Sequence, residues 1–368
     1  MKRTPLYEEH VRLGAKMVEF AGWEMPLYYS GIVREVEAVR NSAGIFDISH
    51  MGTIVVSGPS ALDLVQHITT NNASALDIGR AQYTLMCDER GGIIDDLIVY
   101  RLDQDDYMLV VNASNTDTDF AWIEAHNLVN AHIENLSDEI GIISIQGPKS
   151  QAVLKGIVRF DPGTIRRFGV VQAAIGDAET WIARTGYTGE DGYEVYCHNS
   201  DCADIWHRAM QAGASLGLEP AGLGARDVLR LEAAYPLYGN ELTRQTTPVD
   251  ARLLWVVQLD KGEFLGREAI LQAKERGPQR LLAGLSTEQR CIPRHDQQVL
   301  ADGTLIGHIT SGTFSPTLGK AIALAYLDPN CAETGMHVNV DVRGRLCDCE
   351  VVPTPFYRMK KPTATVTT

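Results

Sequence analysis

A pattern that occurs twice narrows the folds open to this chain more than anything else in it. Thr53-Ile54-Val55-Val56-Ser57 is a β-prone run ended by Gly58-Pro59, after which Leu62, Val65 and Ile68 recur at helical spacing. Ile142-Ile143-Ser144-Ile145-Gln146 likewise meets Gly147-Pro148 and then a helical run bearing Ala152, Val153 and Ile157, 89 positions after the first copy. Proline lacks the N–H that a sheet ladder needs, so each Gly-Pro stops its strand and opens a turn. The same order of elements at the same lengths predicts a duplicated β-turn-α unit, hence an α+β fold with helices on one face of each sheet.

The remainder fits around this frame. Val33, Val36 and Val39 mark a helix up to Ser42, and Gly44-Ile45-Phe46-Asp47 turns the chain into an extended stretch. Between the repeats, Tyr83 to Cys87, Ile93 to Arg101 and Tyr107 to Asn112, with the turn Asp88-Glu89-Arg90-Gly91-Gly92, read as an antiparallel meander. A helix near Leu271 to Gln279 gives way at Pro278 to short β-prone segments at a spacing of roughly 8–12 residues, which predicts an all-β C-terminal domain. A chain of 368 residues exceeds what one core serves, so two or three packed subdomains are expected.

Several function classes are disfavoured. A net charge of -14 repels phosphate backbones, and Arg166-Arg167 and Lys360-Lys361 are too small to reverse that, so no nucleic-acid partner is expected. The longest apolar runs, such as Ile142 to Ile145 and Ile322 to Tyr326, fall far short of the ~20 residues of a membrane span. Met1-Lys2-Arg3-Thr4-Pro5 leads into polar Tyr7-Glu8-Glu9-His10, which lacks the apolar core of a secretory signal, so a cytoplasmic protein is expected. The seven cysteines form no Cys-x-x-Cys pair and sit near no histidine pair, so neither a zinc site nor a disulfide framework is expected. Cys347 and Cys349 would share one strand face as packed thiols.

Three segments are candidates for chemistry, each with a purely structural alternative, which for the Asp pair of the first is an acid that only satisfies backbone amides at the hairpin. In Gly91-Gly92-Ile93-Ile94-Asp95-Asp96-Leu97-Ile98-Val99-Tyr100 two carboxylates sit inside an apolar strand. Burying an ionised carboxylate without partners costs several kcal/mol, so at least one must reach a donor, water or a ligand. Strand alternation puts Ile94, Asp96, Ile98 and Tyr100 on one face and Ile93, Asp95, Leu97 and Val99 on the other, without choosing between the two acids. Gly186-Tyr187-Thr188-Gly189-Glu190-Asp191-Gly192-Tyr193-Glu194-Val195-Tyr196 is a glycine-punctuated loop entering a strand, with rings that can stack and carboxylates that accept from a heterocycle's N–H groups; the plain alternative is an exposed acidic turn. Gly222 to Glu232 reads as a helix with Arg226 and Arg230 on one face, where Asp227 and Glu232 would be ordinary ion-pair partners. His50 is a possible general base, though a lone histidine is more often a structural hydrogen-bonder.

These segments together resemble the aminomethyltransferase family, the T-protein of glycine cleavage. The likeness runs through Arg3-Thr4-Pro5-Leu6, Phe20-Ala21-Gly22-Trp23-Glu24-Met25-Pro26, Phe46-Asp47-Ile48-Ser49-His50-Met51-Gly52, the Asp95-Asp96 strand, Arg184 to Gly192, Gly222 to Asp227 and Thr310 to Gly319, nearly the whole chain. It implies three subdomains in a cloverleaf around a central channel: residues 1–50 with 135–270, residues 51–134, and a C-terminal barrel over 275–368. It also implies transfer of a methylene carbon from an aminomethyl-lipoyl carrier (H-protein) to tetrahydrofolate, with release of ammonia and no metal. Carried over by position, Asp96 is the essential carboxylate. Met51, Tyr83, Tyr100, Asn112, Tyr187, Glu194, Arg226 and Tyr235 line the folate pocket, with Glu194 on the pterin. The likeness fades beyond Lys361. A folate-dependent demethylase, or a folate-binding protein without catalysis, is the alternative within this fold; the Lys-Gly-Cys-x-x-Gly-Gln-Glu segment of the latter is absent, and Thr185 to Asp191 stands in its place.

Overall fold

The computed structural model describes residues 1–359; Lys360-Lys361 and the tail beyond lie outside the described residues. Strands β1 (Lys2–Arg3), β2 (Lys16–Phe20) and β3 (Trp23–Tyr28) make a small sheet beside helix α1 (Tyr7–Arg12), and helix α2 (Ile32–Asn41) leads into β4 (Ala43–Asp47). The chain then builds a five-stranded sheet from β5 (Gly52–Ser57), β6 (Arg80–Cys87), β7 (Ile93–Asp103), β8 (Asp106–Val111) and β9 (His132–Asn135), in the order β6-β7-β8-β5-β9. Helices α3 (Ala61–Ile68) and α4 (Thr116–Ala125) belong to this part. A six-stranded sheet follows, from β10 (Ile140–Gln146), β11 (Val170–Ile175), β12 (Ala178–Ala183), β13 (Gly192–His198) and β14 (Leu218–Pro220), joined by the earlier β4, with helices α5 (Ser150–Lys155), α6 (Cys202–Gly213) and α7 (Leu223–Glu232). After α8 (Arg267–Arg276), strands β15 (Leu281–Thr287), β16 (Gln298–Ala301), β17 (Thr304–Ser315), β18 (Lys320–Leu327), β19 (His337–Val342) and β20 (Arg345–Val352) close into a barrel. The expected α+β class and C-terminal β-barrel are therefore present.

Both copies of the β-turn-α pattern form as predicted. Gly58 and Gly147 take φ of +91° and +123°, where a side chain would be strained, and a Cβ on Gly147 would stand 2.5 Å from the carbonyl oxygen of Val39. Helix α3 buries Ala61, Leu64, Val65 and Ile68, and α5 buries Val153 and Leu154. Two local expectations shift. Helix α5 ends at Lys155 with Gly156 behind it, so Ile157 packs from the following turn. On α2, Val36 and Val39 are buried but Val33 points to solvent.

Alternation sorts each sheet into an outer face under helices and an inner face toward its neighbour. Ile143, Ile145, Val195 and Cys197 join Val153, Ile205 and Trp206 in one core, while Ile54, Leu97, Val99 and Leu109 join Leu64, Val65 and Ile123 in another. The inner faces meet in a third core, where Phe46, Ile142 and Tyr196 pack with Tyr100, Met108 and Val110 beneath Val36, Val39 and Leu229. Ile94 departs from the predicted face and joins the helix-covered core, because the β6–β7 register shifts between Met86 and Cys87 and the residue is bulged.

The cysteine expectation is corrected in part. Cys291 and Cys347 are joined by a disulfide across 56 positions. Barrel closure brings a loop residue against β20, a proximity that linear spacing does not encode. Cys349 is a free buried thiol next to Cys347 on the inward face of β20, as strand alternation requires.

Candidate active site

The two acids of β7 separate by face. Asp95 is wholly buried toward α4, where its carboxylate accepts from the Asn112 backbone N–H at 2.9 Å, from Asn112 Nδ2 at 2.9 Å and from Asn115 Nδ2 at 2.8 Å. Asp96 faces inward and is half-buried. Its Oδ2 accepts from the Tyr83 hydroxyl at 2.9 Å and its Oδ1 from Asn112 Nδ2 at 2.9 Å. Asn112 thus ties both carboxylates together from the end of β8. Burial, and then the charge of Asp95, push Asp96 up to about 7, against the pull of its two donors. A carboxyl there exchanges a proton near neutral pH, which is what a general acid-base or cation-stabilising group requires.

Opposite stands β13. Glu194 and Tyr196 alternate onto its inner face, and Glu194 accepts from Thr185 Oγ1 at 2.5 Å, from Tyr196 at 3.2 Å and from Tyr100 at 3.4 Å. Tyr100, on the Asp96 face of β7, also bonds Thr185 at 3.0 Å and Tyr196 at 2.9 Å, so the two sheets are stitched through one hydroxyl cluster. Burial raises the Tyr100 and Tyr196 phenols, with Glu194 adding to the rise, so all these hydroxyls stay neutral donors.

Aromatic rings and one guanidinium complete the wall. Tyr187 stacks on Tyr235 with centroids 5.8 Å apart, and its hydroxyl donates to the carbonyl oxygen of Pro236. Arg226, from α7, lies over the Tyr187 ring at 4.7 Å. It makes no ion pair among the described residues, and burial lowers it. The helix-pairing expectation holds only for its neighbour Arg230, which bridges Asp227 and Glu241; Glu232 pairs with Arg40 instead. Met51 packs on the inner core beside Tyr100. Contacts thus join Tyr83, Asp96 and Asn112 in one group, Tyr100 and Glu194 in a second and Tyr187, Arg226 and Tyr235 in a third, and Met51, Tyr83, Asp96, Asn112, Tyr187, Arg226 and Tyr235 are all half-buried.

Four contributors escaped the sequence reading as site residues. Thr185 and Tyr196 stood in motifs already singled out, and strand alternation from Glu194 would have found Tyr196. Asn115 orients Asp95 from the start of α4. Trp255 is 65% exposed and stacks on Tyr83 at 5.8 Å; it lies in a single short turn, where no periodicity marks it. His50 is buried, its Nδ1 has no hydrogen-bond partner among the described residues, and burial followed by Arg226 lowers it to about 4, so it is neutral at physiological pH and a poor proton acceptor.

Comparison with known proteins shows the family. Residues 6–261 match the family model described as the GCVT N-terminal domain, and residues 280–358 match the glycine cleavage T-protein C-terminal barrel domain. The aminomethyltransferase of Bacillus subtilis is 46% identical, over 97% of this chain and 99% of its own. That of Thermotoga neapolitana is 47% identical, over 97% and 98%. The crystal structure of the glycine cleavage system aminomethyltransferase of Bartonella henselae superposes with a TM-score of 0.92 at 35% identity, covering 98% of this chain and 99% of that one. The chain belongs to the aminomethyltransferase family, the T-proteins of glycine cleavage.

Proposed function

We propose that the family's reaction, aminomethyl transfer to tetrahydrofolate, is carried in this chain by Asp96. The observation that supports this is a half-buried carboxyl raised to about 7 and held by Tyr83 and Asn112. In the balanced reaction the carrier's methylene carbon loses its bonds to sulfur and to nitrogen and gains bonds to N5 and N10 of the folate. Of the two protons those nitrogens give up, one leaves with the amine as ammonia and one restores the second thiol of the lipoyl arm. Asp96 serves as the hydrogen-bond acceptor beside N5 and N10, making N5 more nucleophilic and stabilising positive charge as carbon changes hands.

The other residues fit a reduced pterin. Glu194 has one carboxylate oxygen satisfied by three hydroxyls and the other free to accept from an aminopyrimidine edge. Tyr100 positions Glu194, Asn112 orients Asp96, and Met51 fills the apolar floor. Tyr187, Tyr235 and Arg226 form a stacked, electron-rich and cationic wall suited to a ring that carries a glutamate tail. The partner is a lipoylated carrier protein, and no metal enters. The same reading divides the chain into residues 1–50 with 135–270, residues 51–134, and 275–368, in keeping with the two sheets and the barrel. It places the protein in the cytoplasm; among the described residues no helix is long and apolar enough to cross a membrane. The test is ammonia release from an aminomethyl-loaded lipoyl carrier on addition of tetrahydrofolate. Release should depend on folate and fall at least ~100-fold in Asp96→Asn; folate-independent release, or full activity of that variant, refutes the proposal.

A further inference from the structure

Asp119, on α4, is fully buried, and among the described residues no N–H or hydroxyl donates to either of its carboxyl oxygens. It lies one helical turn after Asn115, whose side-chain amide donates to Asp95 and whose backbone carbonyl accepts from the Asp119 N–H, so the Asp119 and Asp95 carboxyls are neighbours in one buried cluster. Two carboxyl groups buried side by side avoid the repulsion of two anions when one of them carries a proton. Asp95 is the better anion, because it accepts from Asn112 twice and from Asn115, whereas Asp119 accepts from none of the described residues. The proton therefore belongs to Asp119.

We infer that Asp119 is a positioning residue, a neutral acid that donates to Asp95 and, through Asp95 and Asn112, fixes the orientation and ionisation of Asp96. This rests on the role given to Asp96 above. The electrostatics of the surroundings agree. Burial, then the charge of Asp95 and its hydrogen bond, push Asp119 up to about 11, while Arg244 only opposes that rise. Tyr238 and Arg244 face Asp119 and Asp95 from the loop after α7, and Tyr83 and Tyr187 face Asp96 from the opposite side. Asp95 is the largest charged influence on Asp96, so whatever keeps Asp95 ionised also keeps Asp96 near neutrality.

The direct test is carboxyl-carbon NMR on the intact protein labelled in aspartate, with the Asp119 signal assigned by its loss in Asp119→Asn. The expected result is a protonated Asp119 from about pH 5 to about pH 9; an ionised Asp119 at neutral pH overturns the inference. Two variants add a functional readout. Asp119→Asn keeps a neutral donor and should retain the wild-type pH profile of kcat/KM. Asp119→Leu removes it, so Asp95 takes up a proton, its repulsion of Asp96 is relieved and the acid limb moves down by about one pH unit, with kcat lower by roughly 10-fold. An acid limb unmoved in a folded Asp119→Leu protein overturns the inference, and if that variant does not fold the NMR result decides. Should Asp96→Asn prove fully active, the role of Asp96 falls while the NMR result still stands, so the two failures are distinguishable.

Discussion

Holding a carboxyl near its own titration point inside an apolar sheet costs stability, and the cost has a sign that can be checked. Asp96 is raised in the fold above its ordinary carboxylate value, so the native state favours its protonated form. That advantage is fully present at low pH and is lost as pH rises through about 7. Asp96→Asn should therefore be more stable than the parent by about 2 kcal/mol at pH 8, with the difference closing as pH falls toward 4; equilibrium denaturation at the two pH values measures it. Activity runs the other way, because the ionised form is the acceptor, and kcat/KM should climb through pH 7. Tyr83→Phe removes a donor that lowers Asp96, so the acid limb should move up by about one unit in the rate profile. Glu194→Gln replaces an acceptor away from the reacting carbon, and steady-state kinetics should show KM for folate up roughly 10-fold with kcat changed much less.

Among the elements, β7 shows how far alternation carries and where it stops. The pairing of Asp96 with Tyr100 on one face was legible, because the strand is regular from Asp95 to Arg101. The misplacement of Ile94 comes from a bulge set by the partner strand, which one strand's pattern does not contain. Helix α7 teaches the same lesson: Arg226 and Arg230 were expected to pair with helix acids, yet Glu232 is claimed by Arg40 of α2 from 192 positions away. Arg40 is nearly buried, bonds Glu190 at 2.9 Å and Glu232 at 2.7 Å, and is covered by the Tyr357 ring at 3.9 Å. Because Ser315 and Thr317 also donate to Glu232, this group ties α2 and α7 to the barrel. Arg40→Met leaves two buried carboxylates without their cation and should lower stability by about 3 kcal/mol in denaturant titration.

For the whole molecule, class and layout followed from the duplicated unit and the run of short C-terminal strands, since both depend on local periodicity. The site did not follow from periodicity alone. The residues proposed for it come from β6, β7, the position after β8, the 184–191 loop, β13, α7 and the turns at Tyr235 and Trp255, and periodicity has no means of relating elements so far apart. Trp255, Asn115 and the Cys291–Cys347 link were invisible because each depends on what lies across a sheet interface or a barrel seam. The role given to Asp96 is tested most directly by a crystal structure of the protein with a bound reduced folate. The ring should lie between the two sheets, with the Asp96 carboxylate within hydrogen-bonding distance of the N5–N10 edge and Glu194 on the aminopyrimidine side. A folate bound elsewhere, or an Asp96 carboxylate turned away from it, would contradict the account.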